Sequence, residues 1–211
     1  MNKKILNWVI PIVITLLIVC LAFLGAELQK DNKYVFKIQR ENVELMYEGA
    51  RADLVACIDS TIRIYAPTTC MNGLELLRQC ESFEVDPIFV LAQGHKESHF
   101  GTKGMASKTN SVFNVYAYDG KKYSDINPAG KYSHPDLSIK PFLSLLKSKY
   151  LVDGKTEMDL LHEYVDKSGH RYASSEDYEN DLTSLYHMYA SNEKLMTCFK
   201  QYKKYKILAG R

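Results

Sequence analysis

The segment that most constrains the fold is an apolar helix predicted to begin at Asp86-Pro87. Asp is favoured as an N-cap because its side chain accepts hydrogen bonds from unpaired backbone amides, and Pro suits the first helical position. The sequence that follows, IFVLAQGHKESHF, is apolar nearly all round in its first turns. A helix of this kind is buried by other elements, so we expect the rest of the domain to pack around it.

Most of the remaining chain also has apolar residues at helical spacing. The segments with this pattern are 31–66, 137–150, 158–165 and 176–205. A further helix with this pattern follows Thr69, which can cap it. Between Gly101 and Asp136 the composition changes to Gly, Asn, Ser, Tyr and Asp, and the runs VFNVYAY and KKYSDI are typical of short strands. The sequence therefore predicts an α+β, mainly helical domain with a small β-hairpin lobe.

An uncharged run, Ile5 to Leu24, follows two lysines near the N-terminus. At about 1.5 Å per residue, it matches the ~30 Å thickness of a membrane's hydrocarbon core. A cleavable signal peptide has a shorter apolar run of about 7–15 residues, and Leu24 stands where cleavage after Ala26 would favour a small residue. We therefore expect an uncleaved anchor, with the chain from about Glu27 onward on the extracytoplasmic side; cleavage is the alternative.

The charge and the cysteine content argue against some partners and metal sites, but they do not decide which cysteines pair. The net charge of +2 is too small to indicate a nucleic-acid partner. No CxxC pair occurs, so a zinc ribbon is not expected. Four cysteines follow the apolar run, namely Cys57, Cys70, Cys80 and Cys198. In an oxidising compartment they allow three pairings. The sequence does not choose between one or two disulfides and buried free thiols.

Glu97 is the one carboxylate in the stretch LAQGHKESHFG at the end of the predicted buried helix. At about 100° per residue it shares a helix face with Val90, Gln93 and Gly101. A carboxyl group set against apolar walls has its charged form disfavoured and its pKa raised, as in glycosidases that protonate a glycosidic oxygen. The alternative is an ordinary glutamate in the last helical turn, solvated or paired with a lysine.

The two histidines that bracket Glu97 raise the question of a metal site. His95 and His99 are four residues apart, as are the histidines of zinc-binding HExxH helices. In that motif the glutamate directly follows the first histidine, whereas Glu97 comes two residues after His95, about 200° around the helix. We therefore expect no metal and interpret the pair as surface histidines near a helix end.

Three motifs occur in order along the chain: Glu97-Ser98-His99-Phe100-Gly101, Asn110-Ser111-Val112-Phe113-Asn114, and Tyr172-Ala173 with Tyr178. In this order and spacing, over roughly residues 70–189, the chain resembles the endo-β-N-acetylglucosaminidases of glycoside hydrolase family 73, the autolysin and flagellar-hydrolase type. Ser111 and Asn114 stand where that family usually has Asn and Gly. The resemblance implies a lysozyme-like glucosaminidase domain over residues 67–211, behind a helical connector (27–66) and a membrane anchor (1–26).

The resemblance also implies an activity, cleavage of peptidoglycan glycan strands after N-acetylglucosamine with Glu97 as the proton donor and no cofactor. A second acid often lies on the family's hairpin, where Asp125 is the best match here, and assistance by the substrate's own acetamido group is the alternative. Tyr172 resembles the active-site tyrosine of the family, or is a packed core tyrosine. Substrate-binding residues are expected on the face of Glu97 and along an aromatic groove: Gln93, Asn110, Phe113, Asn114, Tyr116 and Tyr118.

Two other functions remain open. A catalytically silent lysozyme-like scaffold, binding the cell wall or building a virion or envelope, would account for the lack of a glutamate between Glu97 and Glu157. Lytic transglycosylases and goose-type lysozymes share the Glu-Ser helix, but they usually continue into a Gly-Leu-Met-Gln-like box that this chain lacks. We therefore predict a glycoside hydrolase that acts on peptidoglycan.

Overall fold

The computed structural model describes residues 3–116 and 122–211, with only some of the side chains in residues 3–31. Its helices are α1 (Lys3–Tyr65), α2 (Gly73–Phe83), α3 (Pro87–Ser98), α4 (Ala106–Thr109), α5 (Ile139–Leu145), α6 (Glu157–His162), α7 (Tyr178–Ala190) and α8 (Glu193–Leu208). α5 continues into a π-helical turn, Leu146–Tyr150. Three 3-10 turns lie at Tyr123–Asp125, Pro128–Gly130 and Pro135–Ser138.

The chain forms two compact units, one of residues 1–49 with 204–211 and the other of residues 50–203. In the first unit the Arg211 guanidinium lies 3.0 Å from the Glu44 carboxylate and stacks over the ring of Tyr47. Most side chains of the predicted anchor, Ile5 to Leu24, are outside the described residues. Within the part of the chain that is described, no helix is both long and apolar enough to cross a membrane. The predicted boundary near residue 67 stays a prediction.

α3 is the buried helix of the second unit. Every residue from Pro87 to His95 is buried, and α3 packs against α7 and α2. Asp86 Oδ1 accepts a hydrogen bond from the Ile88 amide (2.9 Å), and Pro87 occupies the first helical position. The predicted start of this helix and its burial are therefore confirmed.

The N-cap of α2 differs from the prediction. Asn72 Oδ1, rather than the Thr69 hydroxyl, accepts from the Leu74 amide (2.7 Å). The Thr69 hydroxyl instead donates to the backbone carbonyl of Phe100 (2.6 Å), which ties the segment before α2 to the end of α3. Both side chains suit a cap, and a tertiary contact decides between them.

The predicted hairpin lobe is wrong for the residues that the structure describes between Gly101 and Asp136. They form α4 and the three 3-10 turns, without a strand. Asn127 Oδ1 accepts from the Ala129 amide (2.9 Å), and Pro128 cannot donate to a strand ladder, so local caps favour tight turns. The run VFNVYAY extends into residues 117–121, outside the described part. In the described chain the α+β expectation is therefore corrected to a mainly helical domain.

Two further outcomes concern the C-terminal half and the cysteines. The predicted helix over 176–205 is α7 and α8, divided at Asn192, whose Oδ1 accepts from the Leu195 amide (3.0 Å). Cys57 and Cys198 form a disulfide between α1 and α8, and their Cα atoms are 6.8 Å apart. Cys70 and Cys80 are free thiols. Among the alternatives left open by the sequence, the structure therefore has one disulfide.

Candidate active site

Glu97 lies in the last turn of α3, and its neighbour Ser98 fastens that turn to the following loop. The Ser98 hydroxyl donates to the backbone carbonyl of Val112 (2.7 Å) and accepts from the Gly101 amide (2.7 Å). Because the Ser98 side chain is buried, this pair of bonds fixes the path of residues 112–114 beside α3. The serine of the Glu-Ser motif therefore holds the loop that faces the acid.

That loop brings Phe113 and Asn114 to Glu97. The Phe113 ring is fully buried and stacks parallel to Phe142, with centroids 4.2 Å apart. Gly94 of α3 lies beside this ring and the ring of Phe100, and a Cβ atom there would lie 3.3 Å from the Phe100 ring, a tight contact. Asn114 follows with a φ of 52°, a left-handed conformation that Asn adopts more readily than most residues. Its side chain can therefore turn back toward the acid.

Both carboxyl oxygens of Glu97 accept hydrogen bonds. The Tyr178 hydroxyl and Gln93 Nε2 (3.3 Å) donate to Oε1, and Asn114 Nδ2 donates to Oε2 (3.1 Å). Gln93 Nε2 also donates to the Tyr178 hydroxyl (2.7 Å), and Asn114 Nδ2 to the backbone carbonyl of Glu97 (3.0 Å). Gln93 thus shares the face of Glu97 as the spacing predicts. The network holds the carboxyl group in one orientation.

Tyr178 is the tyrosine that contacts the acid. Burial raises its pKa well above the ordinary value, and the neighbouring Tyr172 and the Glu97 carboxylate raise it further. The phenol therefore stays protonated and acts as a donor. The Tyr172 hydroxyl instead donates to the backbone carbonyl of Phe113 (3.3 Å), and its ring stacks on Tyr164 with centroids 4.4 Å apart. Sequence reasoning noted Tyr178 as a motif position only, and that spacing was the signal that could have found it.

Glu97 opens onto a groove of about 820 Å³. Its walls come from the end of α3, residues 113–116, α5 with its π-helical turn, and residues 172–174. Four of the residues predicted from the sequence line this groove together with Glu97, namely Phe113, Asn114, Tyr116 and Tyr172. The groove therefore combines one carboxyl group with several aromatic faces, which suits a sugar substrate.

Other predicted site residues lie elsewhere. Asn110 ends α4 with a φ of 56°, and its Nδ2 donates to the backbone carbonyl of Tyr132 (2.9 Å). Asp125 is exposed in its 3-10 turn and accepts from the Ser124 hydroxyl (2.9 Å). Neither is among the described residues that line the groove. Tyr118 lies outside the described residues.

Two buried amide oxygens flank the acid without a hydrogen-bond partner in the described part of the chain, Gln93 Oε1 and Asn114 Oδ1. Buried acceptors of this kind are usually satisfied by protein, water or ligand. Asn114 lines the groove, so its amide group lies beside the space that a bound molecule would occupy.

The histidine prediction needs one correction, because His95 is buried rather than on the surface. It lies on the face of α3 toward α7, and its Nδ1 is 2.7 Å from the Tyr189 hydroxyl. Burial lowers the pKa of His95 to about 4, with smaller contributions from His99 and Lys103. His99 Nε2 lies 3.0 Å from Lys103 Nζ. In the described ranges, no group of three potential metal ligands occurs.

A family model described as "Glucosaminidase: Mannosyl-glycoprotein endo-beta-N-acetylglucosaminidase" matches residues 75–191. No curated protein matches the chain. The matched region is more than half of the chain and contains Glu97, the 112–114 loop, Tyr172 and Tyr178. This protein belongs to the glucosaminidase family, glycoside hydrolase family 73.

Proposed function

We propose that this protein cuts the glycan strands of peptidoglycan after N-acetylglucosamine, with Glu97 as the general acid. Membership of the family supports peptidoglycan as the substrate class. The observation that carries the proposal is the position of Glu97, the only acid among the described residues that line the aromatic groove. A mainly helical domain around a buried central helix supports a lysozyme-like fold.

In the proposed reaction Glu97 gives its proton to the glycosidic oxygen as the bond to the sugar breaks, and a water molecule that then adds to the sugar carbon returns a proton to Glu97. Proton transfer of this kind needs a carboxyl group at a fixed position and orientation. The hydroxyl of Tyr178 and the amide of Asn114 supply that orientation. After transfer the same two donors stabilise the carboxylate, because hydrogen bonds donated to a charged group favour it.

The second catalytic group is either Asp125 or the acetamido group of the substrate. Asp125 is exposed and outside the described lining of the groove. Asn114 lines the groove beside Glu97, and its amide group is of a kind that hydrogen-bonds an acetamido group. We therefore favour assistance by the substrate, with Asp125 as the alternative that a substitution can test.

The predicted binding residues have different parts in this proposal. Tyr116, half exposed, and Tyr172 offer ring faces to sugars, and Phe113 forms the wall behind them. Gln93 is fully buried and acts through Tyr178 as a positioning residue.

The experiment that tests the proposal is digestion of purified peptidoglycan by the full-length protein, followed by analysis of the released ends. New reducing N-acetylglucosamine ends would support it. Reducing N-acetylmuramic acid ends would indicate a lysozyme-type reaction, and anhydro-muramic ends a lytic transglycosylase. Binding to the wall without any new ends would favour the catalytically silent scaffold.

We also propose a single-pass anchor with the domain on the extracytoplasmic side, in the periplasm or the cell wall. The uncharged run Ile5 to Leu24 supports the anchor. The Cys57–Cys198 disulfide supports an oxidising compartment. Alkaline extraction of native membranes, with N-terminal sequencing of the protein, tests both points. A soluble product that begins near Glu27 would contradict the anchor.

A further inference from the structure

Lys149 is the one cation among the described residues that line the groove. It lies in the π-helical turn Leu146–Tyr150 that continues α5, and its side chain is exposed. Turns of this kind are rare and frequently occur at functional sites, because the extra residue changes which side chains face a given direction. The turn therefore gives the groove a positive charge that is separate from the acid.

The neighbourhood of Lys149 leaves its ammonium group available. In the described part of the chain, Lys149 has no carboxylate at ion-pair distance. The carboxylate whose charge interacts with Lys149 is that of Asp166. The pKa of Asp166 is lowered mainly by a backbone hydrogen bond from His170 and next by one from Ser168, while the charges of His170 and Lys149 lower it less. Asp166 Oδ1 already accepts from Ser168 (2.8 Å) and His170 (3.0 Å). Asp166 therefore has its own partners.

A row of tyrosine rings connects the turn that carries Lys149 with the acid. Tyr150, next to Lys149, has its ring centroid 5.5 Å from that of Tyr172. Tyr172 is 5.7 Å from Tyr178, whose hydroxyl is bonded to Glu97. All three rings line the groove, together with Glu97 and Lys149.

We propose that Lys149 binds a carboxylate carried by the glycan substrate near the sugar whose bond is cut. The proposal rests on the proposed function, since it assigns one further contact in the same groove. The stem peptides of peptidoglycan carry carboxylates, and the lactyl ether of alternate sugars carries one wherever the stem peptide has been removed, whereas a chitin-type strand of N-acetylglucosamine carries none. Lys149 therefore makes the groove selective for an acidic glycan over a neutral one.

The test compares full-length wild type with Lys149→Met, which keeps most of the side-chain length and removes the charge. Lys147→Met is the matched control, because Lys147 is in the same helical turn but not among the described residues that line the groove. Three substrates separate the carboxylate sources: neutral chito-oligosaccharides, glycan strands stripped of peptides, and intact peptidoglycan. KM and kcat are measured on each.

Lys149→Met should raise KM for carboxylate-bearing substrates about fivefold, as expected for loss of an exposed ion pair, with kcat little changed. KM for the neutral oligosaccharides should stay the same, and added salt should reduce the wild-type preference for acidic strands. An effect on stripped strands identifies the lactyl carboxylate that removal of the peptide frees as the partner. An effect on intact peptidoglycan alone identifies the stem peptide.

Three results would overturn the inference: an unchanged KM, an equal change on neutral and acidic substrates, or the same change in Lys147→Met. Failure of the proposed function is distinguishable, because wild type would then release no ends from any substrate. In that case co-sedimentation with peptidoglycan and with chitin still tests the carboxylate contact. Lys149→Met should lose the preference for peptidoglycan, and a retained preference would contradict the inference.

Discussion

Replacing Tyr178 by Phe removes the hydroxyl that donates to Glu97 and leaves the buried ring in place. The variant also takes away the acceptor of Gln93 Nε2, which keeps its longer bond (3.3 Å) to Glu97. Fewer hydrogen bonds then fix the orientation of the Glu97 carboxyl group. We therefore expect Tyr178→Phe to lower activity more than stability.

The size of the effect follows from the kind of bond that is lost. A hydrogen bond to a charged group contributes roughly 1.5–3 kcal/mol, and about 1.4 kcal/mol corresponds to a tenfold change in rate. If the whole free energy of this hydrogen bond stabilises Glu97 in the transition state, kcat of Tyr178→Phe should fall roughly 10- to 100-fold. Because the lost bond favours the carboxylate, the alkaline limb of the pH profile of kcat should also move to higher pH.

Tyr186→Phe is the matched control. Tyr186 is on the same helix, α7, and its hydroxyl donates to Asp86 Oδ2 (3.1 Å), away from the groove. Burial and the Asp86 carboxylate raise its pKa to about 12, so it too remains a donor. Both variants should lose a similar part of their thermal stability, while only Tyr178→Phe loses turnover of peptidoglycan. Wild-type kcat and an unmoved pH profile in folded Tyr178→Phe would refute this reasoning.

Three further predictions concern stability and the second catalytic group. Replacing Cys57 and Cys198 by Ser opens a link across 141 residues and should lower the free energy of unfolding in denaturant by up to about 5 kcal/mol, whereas Cys70→Ser should change it little. The pKa of His95 is lowered to about 4 from 6.5, so the neutral buried histidine contributes fully to the free energy of unfolding above pH 6.5. This contribution is lost as the pH falls from 6.5 toward 4. The free energy of unfolding should fall by at most about 3 kcal/mol over that range, and His95→Gln should not show this fall. Asp125→Asn should reduce turnover only mildly if the substrate's acetamido group assists. A loss as large as that caused by Glu97→Gln would show that Asp125 is the second catalytic group.

Some of the fold and site could be predicted because the rules involved are local. The Asp86-Pro87 start of α3 depends on one cap and one fixed φ angle, and both act within a few residues. The pairing of Gln93 with Glu97 depends only on helical spacing. The burial of α3 followed from its composition.

Other features required tertiary structure. The bond from Tyr178 to Glu97 spans 81 residues and exists because α7 packs against α3. The same packing buries His95, which we expected at the surface near a helix end. Four cysteines left the pairing open, and only the approach of α1 and α8 at Cys57 selects it. In the turn region, side-chain caps such as Asn127 outweighed the strand propensity of the neighbouring residues.

The most direct test of the central claim is turnover of peptidoglycan by Glu97→Gln. Gln keeps the shape of the side chain and can still accept from the Tyr178 hydroxyl, but it has no proton to transfer to a glycosidic oxygen. We expect a loss of about 10²–10⁴ in kcat, with a thermal melt close to that of wild type. Wild-type turnover by folded Glu97→Gln would show that Glu97 is not the proton donor, and Glu97 would then be an ordinary glutamate at the end of a helix.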